Sequence, residues 1–206
     1  MKQLLLILFV FGGAQLSVAA SSDLLSDLGP VEYEVKSEYS HIRVRKKDNV
    51  RTIVFVRDGG QEIGETKIDI TKPHELLIPY TQTMFASYLV RPKQERVLIV
   101  GLGGGAMVQF LKHHEPEVKV DAVEIDPAVV KIAAEYFDTK PSENVRIFTQ
   151  DGFEYFKATE DTYDVIYMDA FLKPSRDTDS TGVPLNLKTI DFYKFLDWTD
   201  TLVIET

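Results

Sequence analysis

Four glycines fall within five residues in the run Gly101-Leu102-Gly103-Gly104-Gly105, directly after the apolar stretch Val97-Leu98-Ile99-Val100. Without Cβ atoms, such a segment turns sharply and comes close to a ligand. A helix opening on it aims free N–H groups at that ligand. Glu124 follows Gly105 by 19 residues, at the end of the next apolar stretch. A carboxylate there can accept both hydroxyls of a ribose. Asp151 and Gly152 form an acid–glycine pair after a third stretch, and Asp169 ends a fourth. Asp151 can accept an adenine amino group, cap the next helix, or do both. Each feature also has an ordinary explanation as a tight turn, a solvated strand-end acid, a cap or a loop acid. Four at successive strand ends point to a site for an adenosine nucleoside, built from Gly101, Gly103, Gly104, Gly105, Glu124, Asp151 and Gly152. Asp169 stands at the edge where the chemistry takes place.

Alternating elements are needed to bring these residues together. The pattern predicts strands at Arg96–Val100, Lys119–Ile125, Asn144–Thr149, Asp164–Asp169 and Thr201–Glu205. Helices are expected at Ala106–His113, after Asp126-Pro127, at Gly152–Lys157 and at Thr189–Leu196, with a long loop over Leu172–Leu187. Asp126 is a favoured N-cap and Pro127 suits the first helical position. This β/α alternation implies a doubly wound parallel sheet of α/β, Rossmann-like type. Residues 31–72 read instead as a small β domain, with extended runs at Tyr39–Val44, Arg51–Arg57 and Ile63–Ile70 and a hairpin turn at Asp58-Gly59-Gly60. Leu76–Leu89 has helical spacing, with Tyr80, Met84 and Tyr88 four apart. The expected division is a signal peptide (1–20), the β domain (31–72) and a Rossmann-like nucleotide-binding domain (73–206), incomplete at its C-terminus.

The chain has 206 residues, 44% of them hydrophobic and 27% charged, which is the profile of a globular protein rather than a disordered one. A net charge of -9 disfavours nucleic acid and anionic membranes as partners. With no cysteine there is no disulfide, thiolate metal site or Cys nucleophile. His41, His74, His113 and His114 lack metal-ligand spacing, so no metal is expected. His113-His114 reads as favourable charge at a helix end, and Trp198 as core. Lys2, the apolar run Leu4–Phe11 and the small residues Ser17–Ser21 have the layout of a secretory leader. Its apolar part is short for a bilayer span. The expected location is secreted or periplasmic, without stable membrane association after cleavage. The location is cytoplasmic if the leader does not function.

The residue order distinguishes two cofactor classes. NAD proteins share the glycine turn and the first acid, whereas the acid–glycine pair after the third strand is more typical of S-adenosylmethionine folds. The segments Val97–Gly105, Val123-Glu124-Ile125-Asp126-Pro127, Asp151-Gly152-Phe153 and Tyr163–Asp169 resemble the spermidine synthase (polyamine aminopropyltransferase) family. So do Ser37-Glu38-Tyr39, Arg57-Asp58-Gly59 and His74–Met84. The resemblance covers roughly residues 33–193. It implies the class I methyltransferase type of the Rossmann-like fold, and a transferase using decarboxylated S-adenosylmethionine, or S-adenosylmethionine, as co-substrate. The partner implied is a small-molecule amine, and assembly as a homodimer is left open. Asp169 matches the family's catalytic acid, which orients and deprotonates the attacking amine. Tyr80 either lines the acceptor pocket or packs on a core helix face.

Three positions depart from the family. Gly104 stands where the family has an amine-holding Asp, Leu172 replaces a second Asp, and Ser40 replaces a Gln. Each lost carboxylate–ammonium hydrogen bond is worth ~1.5–3 kcal/mol. Two other readings therefore stand beside aminopropyl transfer. One is an S-adenosylmethionine-dependent methyltransferase, and the other is an exported relative that binds a nucleoside or polyamine without turnover.

Overall fold

The computed structural model describes residues 7–9, 28–171, 178, 182–189 and 201–205. Two sheets organise them. β2 (Val31–Lys36), β3 (His41–Lys47), β4 (Val50–Val56) and β5 (Glu62–Asp69) form an antiparallel meander. The second sheet has the order β1-β10-β9-β6-β7-β8 and is parallel throughout. Its strands are β6 (Arg96–Val100), β7 (Lys119–Glu124), β8 (Val145–Thr149), β9 (Val165–Met168) and β10 (Leu202–Glu205), with β1 (Ile7–Phe9) beside β10. β7 and β8 lie on one side of β6 and β9 on the other. The chain therefore reverses its direction of winding at β6, and a crevice opens there at the carboxyl edge, the usual ligand position in such sheets.

Side chains alternate across the parallel sheet. Val97 and Ile99 pack with Met107 and Leu111 of α3 (Ala106–His114), while Leu98 and Val100 face Tyr155 and Phe156 of α5 (Gly152–Ala158). All four strand residues are buried, as expected of a parallel sheet covered on both faces. The antiparallel sheet has one apolar face. Its Ile42, Val44, Ile53 and Ile68 pack on Val129 and Ile132 of α4 (Pro127–Tyr136). Polar bonds fix this docking: Ser37 Oγ donates to Asp126 Oδ2 (2.5 Å), and Arg51 Nη1 donates to the Tyr136 carbonyl (2.7 Å).

The meander has four strands, one more than the three expected runs, because Val31–Lys36 is also extended. The single helix expected over Leu76–Leu89 is two short ones, α1 (Pro79–Met84) and α2 (Ser87–Val90). Pro79 sets the start, since it holds Ile78 extended and supplies no N–H. The end of the expected loop is a 3-10 turn at Leu185–Lys188. The helix predicted from Thr189 lies beyond that residue outside the described residues, as do Leu172 and Trp198.

A buried acid far from the crevice has a structural explanation. Asp121, 1% exposed, takes hydrogen bonds from Arg96, Arg146 and the Tyr163 hydroxyl near the amino ends of β6 to β8. These bonds compensate for burying its charge.

Candidate active site

The crevice contains a cavity of about 870 Å³ whose wall includes Gly101, Gly103, Glu124, Asp151, Gly152 and Asp169. Tyr80 reaches it from α1, and the antiparallel sheet closes the near side with Tyr39, Ser40, Glu65 and Thr66.

The glycine run turns immediately after β6. Gly101 has φ +97°, and a Cβ on it would collide with the carbonyl oxygen of Asp169, so only glycine fits. Gly104 and Gly105, expected to hold the ligand, do not line the cavity. They serve packing instead. A Cβ on Gly104 would lie 2.7 Å from Thr66 Cγ2 and 3.2 Å from the Phe137 ring, and one on Gly105 would strike Thr139. Thr66 Oγ1 accepts from the Gly104 N–H (2.9 Å), and Thr139 Oγ1 donates to the Gly104 carbonyl (2.8 Å). The loop is thus clamped between the antiparallel sheet and the chain after α4.

Glu124 is 9% exposed at the end of β7. Its oxygens accept from the backbone N–H groups of Leu102 (2.9 Å) and Asp126 (2.9 Å). Burial pushes its carboxyl above the usual range, while those N–H groups and that of Gly103 pull it back. Glu124 therefore shapes the glycine turn and faces the cavity at once. These donors do not use up all the lone pairs of the carboxylate, which leaves it able to accept from a ribose hydroxyl. Asp151 caps α5 by accepting from Glu154 N–H (3.1 Å), as one of its two readings expects, and it also lines the cavity.

Asp169 follows β9, tied to β6 by its own N–H, which donates to the Val100 carbonyl (2.8 Å). The residue opens partly to the cavity. Its Oδ2 accepts from the Tyr80 hydroxyl (3.3 Å), and its Oδ1 is buried without a hydrogen-bond partner. Burial raises its carboxyl to about 7, with the Glu124 charge adding to this and the Tyr80 bond opposing it. Burial also pushes the Tyr80 hydroxyl up, so it remains protonated and donates. Tyr80 packs on the core as well as lining the cavity. A half-paired carboxylate with a value near neutrality, facing a cavity, has the properties of a general base.

The chain has counterparts among known proteins. Residues 79–181, half of the chain, match the spermine/spermidine synthase domain. The chain belongs to that family. A polyamine aminopropyltransferase of Vibrio vulnificus is 37% identical over 142 residues, covering 68% of this chain and 48% of that protein. The chain spans about half the length of the curated relatives it matches. Among solved structures, a probable spermidine synthase from Corynebacterium glutamicum superposes with TM-score 0.65 at 21% identity, covering 81% of this chain and 59% of the other. A spermidine synthase in complex with the transition-state analogue AdoDATO superposes with TM-score 0.59 at 23% identity, covering 84% and 55%. These two establish the shared fold, parallel sheet and antiparallel cap together.

Glu65 was not among the residues the sequence singled out. It lines the cavity, and burial raises its carboxyl to about 8, with the charge of Asp169 adding and that of Arg57 opposing. The fold also gathers His74, His113 and His114: the first two rings stack at 3.7 Å, and His114 meets both edge-on. Among the described residues no group of side chains has the arrangement to hold a metal ion.

Proposed function

We propose that this chain binds an adenosyl sulfonium, decarboxylated S-adenosylmethionine first among the candidates, and transfers its aminopropyl group to an amine. The observation that carries the reading is Asp169, with one oxygen held by Tyr80 and the other buried and unpartnered, in the same cavity as Gly101, Gly103, Glu124 and Asp151. Family membership supports it, and so does the spermidine synthase solved with AdoDATO. In this reading Glu124 takes the ribose hydroxyls and Asp151 the adenine amino group. The acceptor nitrogen attacks the methylene carbon attached to sulfur as the C–S bond breaks. The bonding pair leaves on sulfur, giving a neutral thioether, and the nitrogen's proton passes to Asp169. Orientation of the two reactants supplies most of the acceleration. Tyr80 holds Asp169 on the cavity side.

The test incubates the protein with either donor and putrescine and follows products by mass. Spermidine formation from the decarboxylated donor supports aminopropyl transfer. Methyl transfer from S-adenosylmethionine, with the decarboxylated donor inert, replaces it with the methyltransferase reading. Binding without product from either donor leaves the non-catalytic one.

We propose separately that residues 1–20 direct export, on the charge, apolar run and small residues already described. The segment includes Ile7–Phe9, which pair with β10. Mass spectrometry of the secreted or periplasmic fraction is expected to find a mature chain starting near Ala20 or Ser21. Intact protein confined to the cytoplasm argues against export.

A further inference from the structure

Glu65 occupies an irregular position in β5. In the pairing of β4 with β5, Ile53 faces Thr66 and the next residue, Val54, faces Gly64. Glu65 is the extra residue between them. Such a bulge breaks strict alternation and re-aims a side chain. Here two neighbours in sequence, Glu65 and Thr66, both line the cavity. Thr66 fills the space beside Gly104, which leaves no room there for a longer side chain. Glu65 and Asp169 line the same cavity.

The cavity wall is strongly acidic. Among the described residues its acidic side chains are Glu38, Asp58, Glu65, Glu124, Asp126, Asp151 and Asp169 against one basic side chain, Lys67, which favours a cationic occupant. Asp169 Oδ1 adds a buried acceptor without a donor. Leaving such an acceptor unpaired is costly, and an ammonium N–H satisfies it.

We propose that Glu65 and Asp169 form a carboxylate pair that binds a primary alkylammonium group of the acceptor. Glu65 thereby supplies, from the antiparallel sheet, a charge that Gly104 does not supply from the loop. The inference rests on the reading of the cavity as an amine-accepting site. It adds the residue that selects the acceptor.

The experiment is calorimetric titration of the full chain with putrescine in the presence of methylthioadenosine, for wild type and Glu65→Gln. Butane-1,4-diol serves as the uncharged control. The amide keeps the size of the side chain and removes its charge. Putrescine is expected to bind Glu65→Gln about 10–100-fold more weakly, the loss of one charge-assisted hydrogen bond. Methylthioadenosine affinity is expected to stay within about twofold, which also reports that the variant is folded. Unchanged putrescine affinity in the variant overturns the proposal, as does equal binding of the diol by wild type. The outcome is separable from the transfer reaction. Putrescine bound through Glu65 without product retains the pair and removes the aminopropyl reading. Product formed equally by both proteins does the opposite.

Discussion

Replacing Asp169 with Asn is expected to lower the rate of transfer by ~10²–10⁴, the range typical of losing a general base, while the affinity for methylthioadenosine stays nearly constant. The side chain keeps its size, and its Oδ still accepts from Tyr80, so the adenosyl pocket is left intact. The pH dependence gives a second signature. The base works when ionised, and burial holds its carboxyl at about 7 in the folded chain. Wild-type kcat/KM is therefore expected to rise through about pH 7 and then level, and the variant to lose that limb. Stability moves the other way. The folded value lies above the unfolded one of about 3.9. Ionised Asp169 thus costs the fold nothing below that value, increasingly more as pH rises toward 7, and the full amount above. At pH 8 the Asn variant is expected to melt at or above the wild-type temperature. A variant that loses rate and melts lower at pH 8 would mark Asp169 as structural rather than catalytic.

The second large effect concerns Gly104. Restoring the carboxylate of the resembled family by Gly104→Asp is expected to destabilise the fold by ~2–4 kcal/mol and not to improve amine binding, since overpacking a closed site forces backbone and rotamer shifts. The new Cβ meets Thr66 Cγ2 at 2.7 Å and Phe137 at 3.2 Å, and the Gly104 N–H loses its alignment with Thr66 Oγ1. Thr66→Ser deletes the obstructing methyl and keeps the hydroxyl. In that background Gly104→Asp is expected to cost at least ~1 kcal/mol less, a coupling typical of residues in contact. Urea unfolding of the four proteins in the cycle measures it. Additive effects would show that Thr66 is not what excludes a side chain at Gly104.

The sequence carried the sheet and its ligand edge well, because both follow from chain order. Val97 to Val100 can only be a doubly covered strand, and the residues after it, after Glu124 and after Met168 then fall on one edge. Asp151 was legible as a cap and as an edge residue because capping and edge position are local properties. What escaped depends on contacts distant in the chain. Glu65 in Glu62-Ile63-Gly64-Glu65-Thr66 reads as an ordinary solvated acid of a strand. Its bulge exists only against Ile53 and Val54, and Asp169 comes 104 residues later. Gly104 looked like a ligand contact because nothing local reveals that Thr66 packs against it. Tyr80 to Tyr88 has helical spacing, yet the helix breaks after Met84, and the spacing alone does not locate a break. His74 and His113 are stacked by the fold although their spacing suggests no association.

The adjacency of β6 and β9 has a consequence for how acceptor preference can change. Asp169 is linked to Val100 through a backbone bond, and Gly101 lies under the Asp169 carbonyl. The distance from the glycine turn to Asp169 is therefore a strand spacing of about 4.8 Å, set by peptide geometry and by the glycine at 101, where any Cβ would meet the Asp169 carbonyl. That part of the site acts as a fixed ruler. Cavity residues outside the ruler, such as Glu65 of the antiparallel sheet, are not held by that backbone pairing. Under the proposed roles, acceptor preference changes through β5, while the placement of Asp169 beside the glycine turn is inherited unchanged.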